Sequence, residues 1–233
     1  PTTMLRRRLV ADFGQSPLPP DVPRSEVMSK LLSLYSSEPP RLAVEVSGSP
    51  VPPALLSSLS TLLEEWSASW TFSNSERTSI SAENYMILTR PSSHPVGSRG
   101  RAKAEAKLAE GLNKRIWELS ALILSGVDEP YSRSFTALAV THLFKGSPHI
   151  DRQNVAPFYA FSLGNFAPGT GGVSVECSAR VTARVDTRGK VGRVDGRFPH
   201  WVSEYEGERW SLVWYRTEGE REPVKGAVFA MPE

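Results

Sequence analysis

The sequence predicts an α+β protein whose second half is a β-sandwich or barrel. Three observations predict it. Apolar residues recur at helical spacing up to about residue 124, with Leu55, Leu56, Leu59, Leu62, Leu63 and Trp66 as one run. From Ser134 onward the pattern changes to period two. The later segments are separated by turn clusters such as Gly169-Thr170-Gly171-Gly172 and Thr187-Arg188-Gly189-Lys190. Helices first and short strands later is the α+β arrangement.

Taken in order, Pro17, Pro19, Pro20 and Pro23 predict an extended arm over residues 1–24. Residues 25–233 are then expected to form a single domain, with helical support over 25–133 and the β core over 134–233. A short amphipathic helix is predicted over 25–36, capped by Ser25 and ended by Pro39-Pro40. Residues 41–46 alternate like a strand, 54–70 read as a helix and 73–82 as a loop. A strand is expected over 84–89, a flexible connector over 91–100 and one long helix over 103–124. The strands expected after that are 135–144, 157–163, 172–177, 180–186, 192–195, 198–202 and 209–217, with a last one near 227–230.

Net charge is +2 over 233 residues, which does not announce a nucleic-acid binder. Arg6 to Arg8 form one basic cluster, and Arg99, Arg101, Lys103, Lys107, Lys114 and Arg115 a second. Each reads as a solvated face or as a phosphate-contacting surface. Cys177 is the single cysteine, so no disulfide forms within the chain and no thiolate zinc site is available. There is no apolar run of about 18 residues and no signal-peptide pattern at the start, where Asp12 and Gly14 interrupt the apolar stretch. These features fit an intracellular address. The chain opens on Pro1 rather than Met, as a processed or excised chain would.

The chemistry is carried by His149-Ile150-Asp151. In an extended segment, residues two apart project to one side, so an imidazole and a carboxylate can reach one metal ion. His200 opens another short strand about fifty residues later. Two histidines and one carboxylate on one side of a metal leave three positions open, the facial arrangement of non-haem iron(II) oxygenases. The bland alternatives are a surface H-x-D and a hydrogen-bonded, half-buried His200. On the strand after His200, Arg209, Ser211, Val213 and Tyr215 share a face, and Trp210, Leu212, Trp214 and Arg216 share the other. A buried guanidinium needs a partner. It grips a carboxylate through two parallel hydrogen bonds, and Ser211 adds a hydroxyl beside it. The distal carboxylate of 2-oxoglutarate is one such partner; Glu204, Glu206 or Glu208 is the other.

With H-x-D, a distal His and R-x-S in that order, residues 134–217 resemble the double-stranded β-helix of iron(II)/2-oxoglutarate dioxygenases. The resemblance implies that His149, Asp151 and His200 hold Fe(II), that Arg209 and Ser211 bind the co-substrate 2-oxoglutarate, and that O2 is the oxidant. The stretch His149 to Asn154 reads H-x-D-x-x-N and is followed by Gly171-Gly172-Val173. In this it is similar to the TET/JBP group, which oxidises the 5-methyl group of pyrimidine bases in nucleic acid. That likeness implies a nucleic-acid substrate and places Asn154 at the pocket mouth against the base; the other role for Asn154 is to cap the loop after Asp151. A dioxygenase acting on protein, in the manner of a prolyl hydroxylase, or on a small molecule would use the same residues. A cupin-like binding module would keep the barrel alone. Tyr159 is a candidate wall residue or core packing, His142 is expected to be structural and Cys177 buried.

Overall fold

The computed structural model describes residues 2–37, 42–69 and 81–232. The chain divides into two compact units, Pro1–Arg41 and Leu42–Glu233.

The first unit is a helical hairpin. Helix α1 spans Thr2–Phe13 and α2 spans Arg24–Ser37. Leu9, Val27 and Leu31 are buried between them, with Leu5, Leu18, Val22 and Leu34 packed around. The extended arm expected over 1–24 is therefore a helix in its first half. After Pro1 its prolines resume only at Pro17; the stretch between is free to coil, and Leu5 and Leu9 fall one turn apart. The prolines form the connector, held by Arg6, whose guanidinium donates to the carbonyls of Pro20 (2.8 Å) and Val22 (2.7 Å). Helix α2 thus groups with α1, because its apolar stripe has Leu9 to pack on.

The second unit begins with β1 (Leu42–Ser47), β2 (Ser49–Pro50), α3 (Pro53–Ser69) and β3 (Asn84–Thr89). A 3-10 turn at Pro91–Ser93 leads to α4 (Arg99–Ala109), α5 (Gly111–Ser125) and α6 (Glu129–Ser134). The strands β4 (Ala137–His142), β5 (Phe158–Leu163), β6 (Val173–Ser178), β7 (Val181–Asp186), β8 (Lys190–Val194), β9 (His200–Val202) and β10 (Trp210–Tyr215) complete it. The single long helix expected over 103–124 is two helices. Glu110 breaks it with an extended backbone (ψ 125°) just before Gly111, and Ser98 caps the first piece by accepting the Arg101 N–H. Helix α6 and β2 are too short for a periodic signal. The strand expected near 227–230 is reduced to one bridge, Val194 to Val228. Most of the loop expected over 73–82 lies outside the described residues.

Two sheets form. One has the order β2-β8-β5-β10-β4-β3 and the other β1-β7-β6-β9. From β4 onward the chain passes between them in turn. β4 lies in the first sheet, and His149 bridges to His200 in the second. β5 returns to the first, β6 and β7 lie in the second, and β8, β9 and β10 alternate. Two sheets wound in this alternation, antiparallel except where the added strand β1 pairs with β7 in parallel, are a double-stranded β-helix, a jelly roll in which β10 pairs with both β4 and β5.

The larger core lies between the first sheet and the helices, with Phe161, Leu212 and Trp214 meeting Leu59, Leu63, Ile116 and Leu124. A smaller one forms around Phe158, Val175, Val185 and Val194. Strand β10 separates the two by simple alternation. Among the described residues, no helix is long and apolar enough to cross a membrane. Phe161 is fully buried and Leu122 is 56% exposed. Phe161→Ala is therefore expected to cost about 3–5 kcal/mol of unfolding free energy, and Leu122→Ala no more than about 0.5 kcal/mol, both measured by urea unfolding.

Candidate functional site

After β4 the chain turns through Lys145 to Pro148 and enters the second sheet for one residue. His149 and His200 exchange both backbone hydrogen bonds, His149 N–H to His200 O at 3.0 Å and the reverse at 2.9 Å. This narrow pair sets their imidazoles side by side, with ring centres 4.4 Å apart. Asp151, two residues on, projects to the same side. Its carboxylate lies 3.8 Å from Nε2 of His149 and 3.7 Å from Nε2 of His200. One ligand atom from each of the three lies within 4.8 Å of the others, a spacing that suits one metal ion.

The imidazoles are set for ligation. Nδ1 of His149 is 2.7 Å from the Ser147 carbonyl, and Nδ1 of His200 is 3.0 Å from the Phe198 carbonyl. A carbonyl only accepts, so each Nδ1 carries the hydrogen and each Nε2 keeps its lone pair for a cation. Burial lowers the His200 pKa against the opposing pull of Asp151, which favours the neutral, ligating form. Asn154 is buried, and its amide nitrogen donates to Oδ2 of Asp151 at 3.0 Å. The structure thus directs that amide at a candidate ligand.

The three side chains open on a cavity of about 480 Å³ that also reaches Arg209, Ser211, Val213 and Tyr215. The face expected to be shared on β10 is therefore the cavity face, while Trp210, Leu212 and Trp214 pack in the larger core. Arg209 is 2% exposed. Its Nε donates to the Gly171 carbonyl at 2.9 Å, and its guanidinium carbon lies 5.3 Å from the Tyr205 ring centre. Its Nη1 is buried without a hydrogen-bond partner. No carboxylate pairs with Arg209 among the described residues. Glu208 is engaged elsewhere, 2.5 Å from Nε2 of His142. Burial pulls the Arg209 pKa down to about 10, opposed by Tyr205. A buried cation with an orphaned donor beside a cavity is what an anionic ligand would satisfy.

Ser211 lies 2.5 Å, hydroxyl to hydroxyl, from Thr141. Thr141 faces it across the β10–β4 register and lines the same cavity. Sequence reasoning missed Thr141, although Leu138 and Val140 mark the core face of β4 and place residues 139 and 141 opposite. Tyr159 is not a cavity wall: it sits in the larger core, and its hydroxyl donates to Asp128 at 2.6 Å. The cavity face of β5 belongs to Phe158 and Ala160, since strand alternation puts Tyr159 behind them. His142 is structural as expected, hydrogen-bonded to Asn84 at 3.0 Å and stacked on Trp210. Cys177 is half-buried rather than buried. In the second basic cluster Arg101 pairs with Glu105, Arg115 with Glu65 and Lys114 with Glu118. At those three positions the solvated-face reading is the one supported.

The topology and the ligand cluster define a class: a double-stranded β-helix with two histidines and one carboxylate opening on its cavity. No family model matches the chain, and no curated protein matches it by sequence. Among solved structures it is similar to NgTET1 in complex with 5mC DNA, at 16% identity and TM-score 0.43 over 73% of this chain and 70% of that one. It is also similar to a prolyl hydroxylase from Trichoplax adhaerens in complex with a hypoxia inducible factor peptide fragment, at 13% identity and TM-score 0.42 over 73% and 81%. A third is an oxidoreductase of the 2OG-Fe(II) oxygenase family from Burkholderia pseudomallei, at 18% identity and TM-score 0.32 over 55% and 62%. At these levels the chain's own strand order remains the statement of its fold.

Arg209→Met keeps the length of the side chain and removes the uncompensated charge. The metal-free variant is expected to be at least as stable as the wild type. A dicarboxylate such as 2-oxoglutarate, at a hundred times its Kd, should stabilise the metal-loaded wild type by about 2.7 kcal/mol and the variant not at all, as thermal unfolding would record.

Proposed function

We propose that the chain is an iron(II)- and 2-oxoglutarate-dependent dioxygenase that hydroxylates the 5-methyl group of a pyrimidine base, 5-methylcytosine or thymine, in nucleic acid. One observation carries the chemistry: His149, Asp151 and His200 converge on the same cavity into which an unpaired, buried Arg209 faces. The donor set is nitrogen and oxygen without thiolate, which suits iron(II). The orphaned Nη1 of Arg209 and the hydroxyls of Ser211 and Thr141 suit the far carboxylate of a diacid. The residues present fit both groups.

Bound iron(II) with 2-oxoglutarate and O2 would supply the oxidant for a C–H bond, releasing succinate and CO2. The protein's own part is positioning and exclusion of water. His149 and His200 present Nε2, Asp151 presents its carboxylate, and Asn154 steadies that carboxylate by donating to it. Arg209 fixes the diacid at its far end. Phe158, Val173 and Val213 form apolar walls around the cavity. A base held in a duplex would have to leave the stack to enter. Exposed Arg152 and Gln153 at the cavity lining are available to the strand that carries it.

The pyrimidine assignment rests on the H-x-D-x-x-N stretch. A protein or small-molecule substrate is the second reading, favoured by the ion pairs that occupy Arg101, Lys114 and Arg115 and by the commitment of the Asn154 amide to Asp151. A nuclear address belongs with the DNA reading alone.

Anaerobic titration with iron(II) and 2-oxoglutarate, followed by O2 and mass spectrometry of nucleosides from a methylated oligonucleotide, tests both levels. Succinate and a hydroxymethyl base are expected in equal amounts, and neither from His149→Ala or Asp151→Ala. Succinate without base oxidation would discard the nucleic-acid substrate and keep the chemistry. Turnover by either variant would remove the metal assignment. If Arg152 meets phosphate, substrate affinity should fall as salt rises.

A further inference from the structure

The turn between β8 and β9 touches the ligand cluster at two points. The Gly196 carbonyl accepts the backbone N–H of Asp151 at 2.8 Å. The Phe198 carbonyl faces Nδ1 of His200 at 3.0 Å. Two of the three candidate ligands therefore take their orientation from one four-residue turn, Asp195 to Phe198. Gly196 approaches so closely that a Cβ there would lie 2.9 Å from Oδ2 of Asp151 and 2.9 Å from the Phe158 ring. Any rotation of this turn is transmitted to the carboxylate and to the imidazole together.

Inside the turn is an ion pair that the proposed chemistry does not use. Asp195 is completely buried, and the Arg197 side chain is 7% exposed. The Asp195 carboxylate accepts from the backbone N–H of Arg197 at 3.0 Å, from its Nε at 2.7 Å and from its Nη2 at 2.6 Å. The remaining Nη1 donates to the Glu222 carbonyl at 2.5 Å. The backbone N–H of Asp195 donates to the Ala227 carbonyl at 2.9 Å, and its own carbonyl accepts from Phe198 N–H at 3.1 Å. The turn is thus braced internally and tied at two places to the segment after β10.

Desolvating both ions is costly, and apolar residues of similar volume would hold a turn at least as well. What the guanidinium–carboxylate fork supplies is a fixed angle, because two parallel hydrogen bonds in one plane resist rotation. That rigidity is needed where two ligands must keep their relative direction. We propose that Arg197, acting through Asp195, is a positioning residue for the metal centre: it fixes the Gly196 and Phe198 carbonyls and through them Asp151 and His200. The segment 222–227 is then part of the support of the centre, although it supplies no ligand. The inference rests on the metal reading above.

The test uses Co(II) as the probe, with d–d absorption reporting both affinity and ligand geometry in the metal-free full chain. Asp195→Asn keeps the size of the side chain and removes the charge. Arg197→Lys keeps the charge and loses the fork. Both are expected to bind Co(II) about ten-fold or more weakly, with a shifted d–d spectrum, while unfolding cooperatively, and Arg197→Lys should retain more affinity than Arg197→Met. Wild-type affinity and spectrum in a folded Arg197→Lys or Asp195→Asn protein, with only the melting temperature lowered, would overturn the proposal and leave the pair as a brace of the fold alone. Should Asp195→Asn not fold, Arg197→Lys decides by the same readout. A wild-type protein that takes up no Co(II) would instead overturn the metal reading, and the positioning role with it.

Discussion

The two reciprocal backbone hydrogen bonds between His149 and His200 are the constraint on which the site depends. They are one bridge wide. Without them the segment between β4 and β5 has no register in the second sheet, and His149 has no fixed relation to His200. With them, the ring centres are brought to 4.4 Å and Asp151 follows on the same side. The bridge pairs a residue that lies outside any named strand with the first residue of a three-residue strand. Its geometry is therefore supplied by neighbours: β6, which pairs with β9, and the turn before β9, which receives Asp151.

The cavity follows from the same economy. A strand has two faces, and β10 gives one to the larger core and one to the cavity. Leu212 and Trp214 anchor the strand to the helices, and this anchoring holds Ser211, Val213 and the preceding Arg209 inward. The cost is an ionic group kept away from water with no counter-ion among the described residues. Burial of Arg209 is tolerated because Gly171 supplies a carbonyl and Tyr205 a ring face. Gly171 serves here for a definite reason: its φ of 62° is strained for any other residue, and a Cβ there would press on Phe166 at 3.0 Å and on Nε of Arg209 at 3.2 Å.

Much of this was legible in the residues. Alternation in β10 separated Arg209 and Ser211 from Trp210 and Leu212, and the spacing of His149 and Asp151 put them on one side of the chain. The signals were strong because period-two patterns translate directly into faces. The misreadings have equally physical sources. Proline density after residue 16 obscured the proline-free helix before it. Glu110 carries no sign of a helix break except the glycine that follows. For Tyr159 the residues left two roles open, wall or core, and strand parity assigns it to Asp128 and the core. The Asp195–Arg197 pair was invisible, since an acid and a base two residues apart in a turn ordinarily lie in solvent. The chemistry of the centre and its substrate were suggested by motif order, and they remain a matter of the proposed function.

The double duty of β10 has a consequence for how such a chain can change. Deleting or inserting a single residue within it would exchange the two faces from that point on, sending indoles toward the cavity and hydroxyl groups into the hydrocarbon interior. Length variation along this strand is thereby filtered to even steps, whereas the loop from β9 to β10 passes from one sheet to the other and carries no such parity. Diversification of the molecule should accordingly accumulate in the stretch before His149 rather than along β10, because the register of that stretch is set by its neighbours.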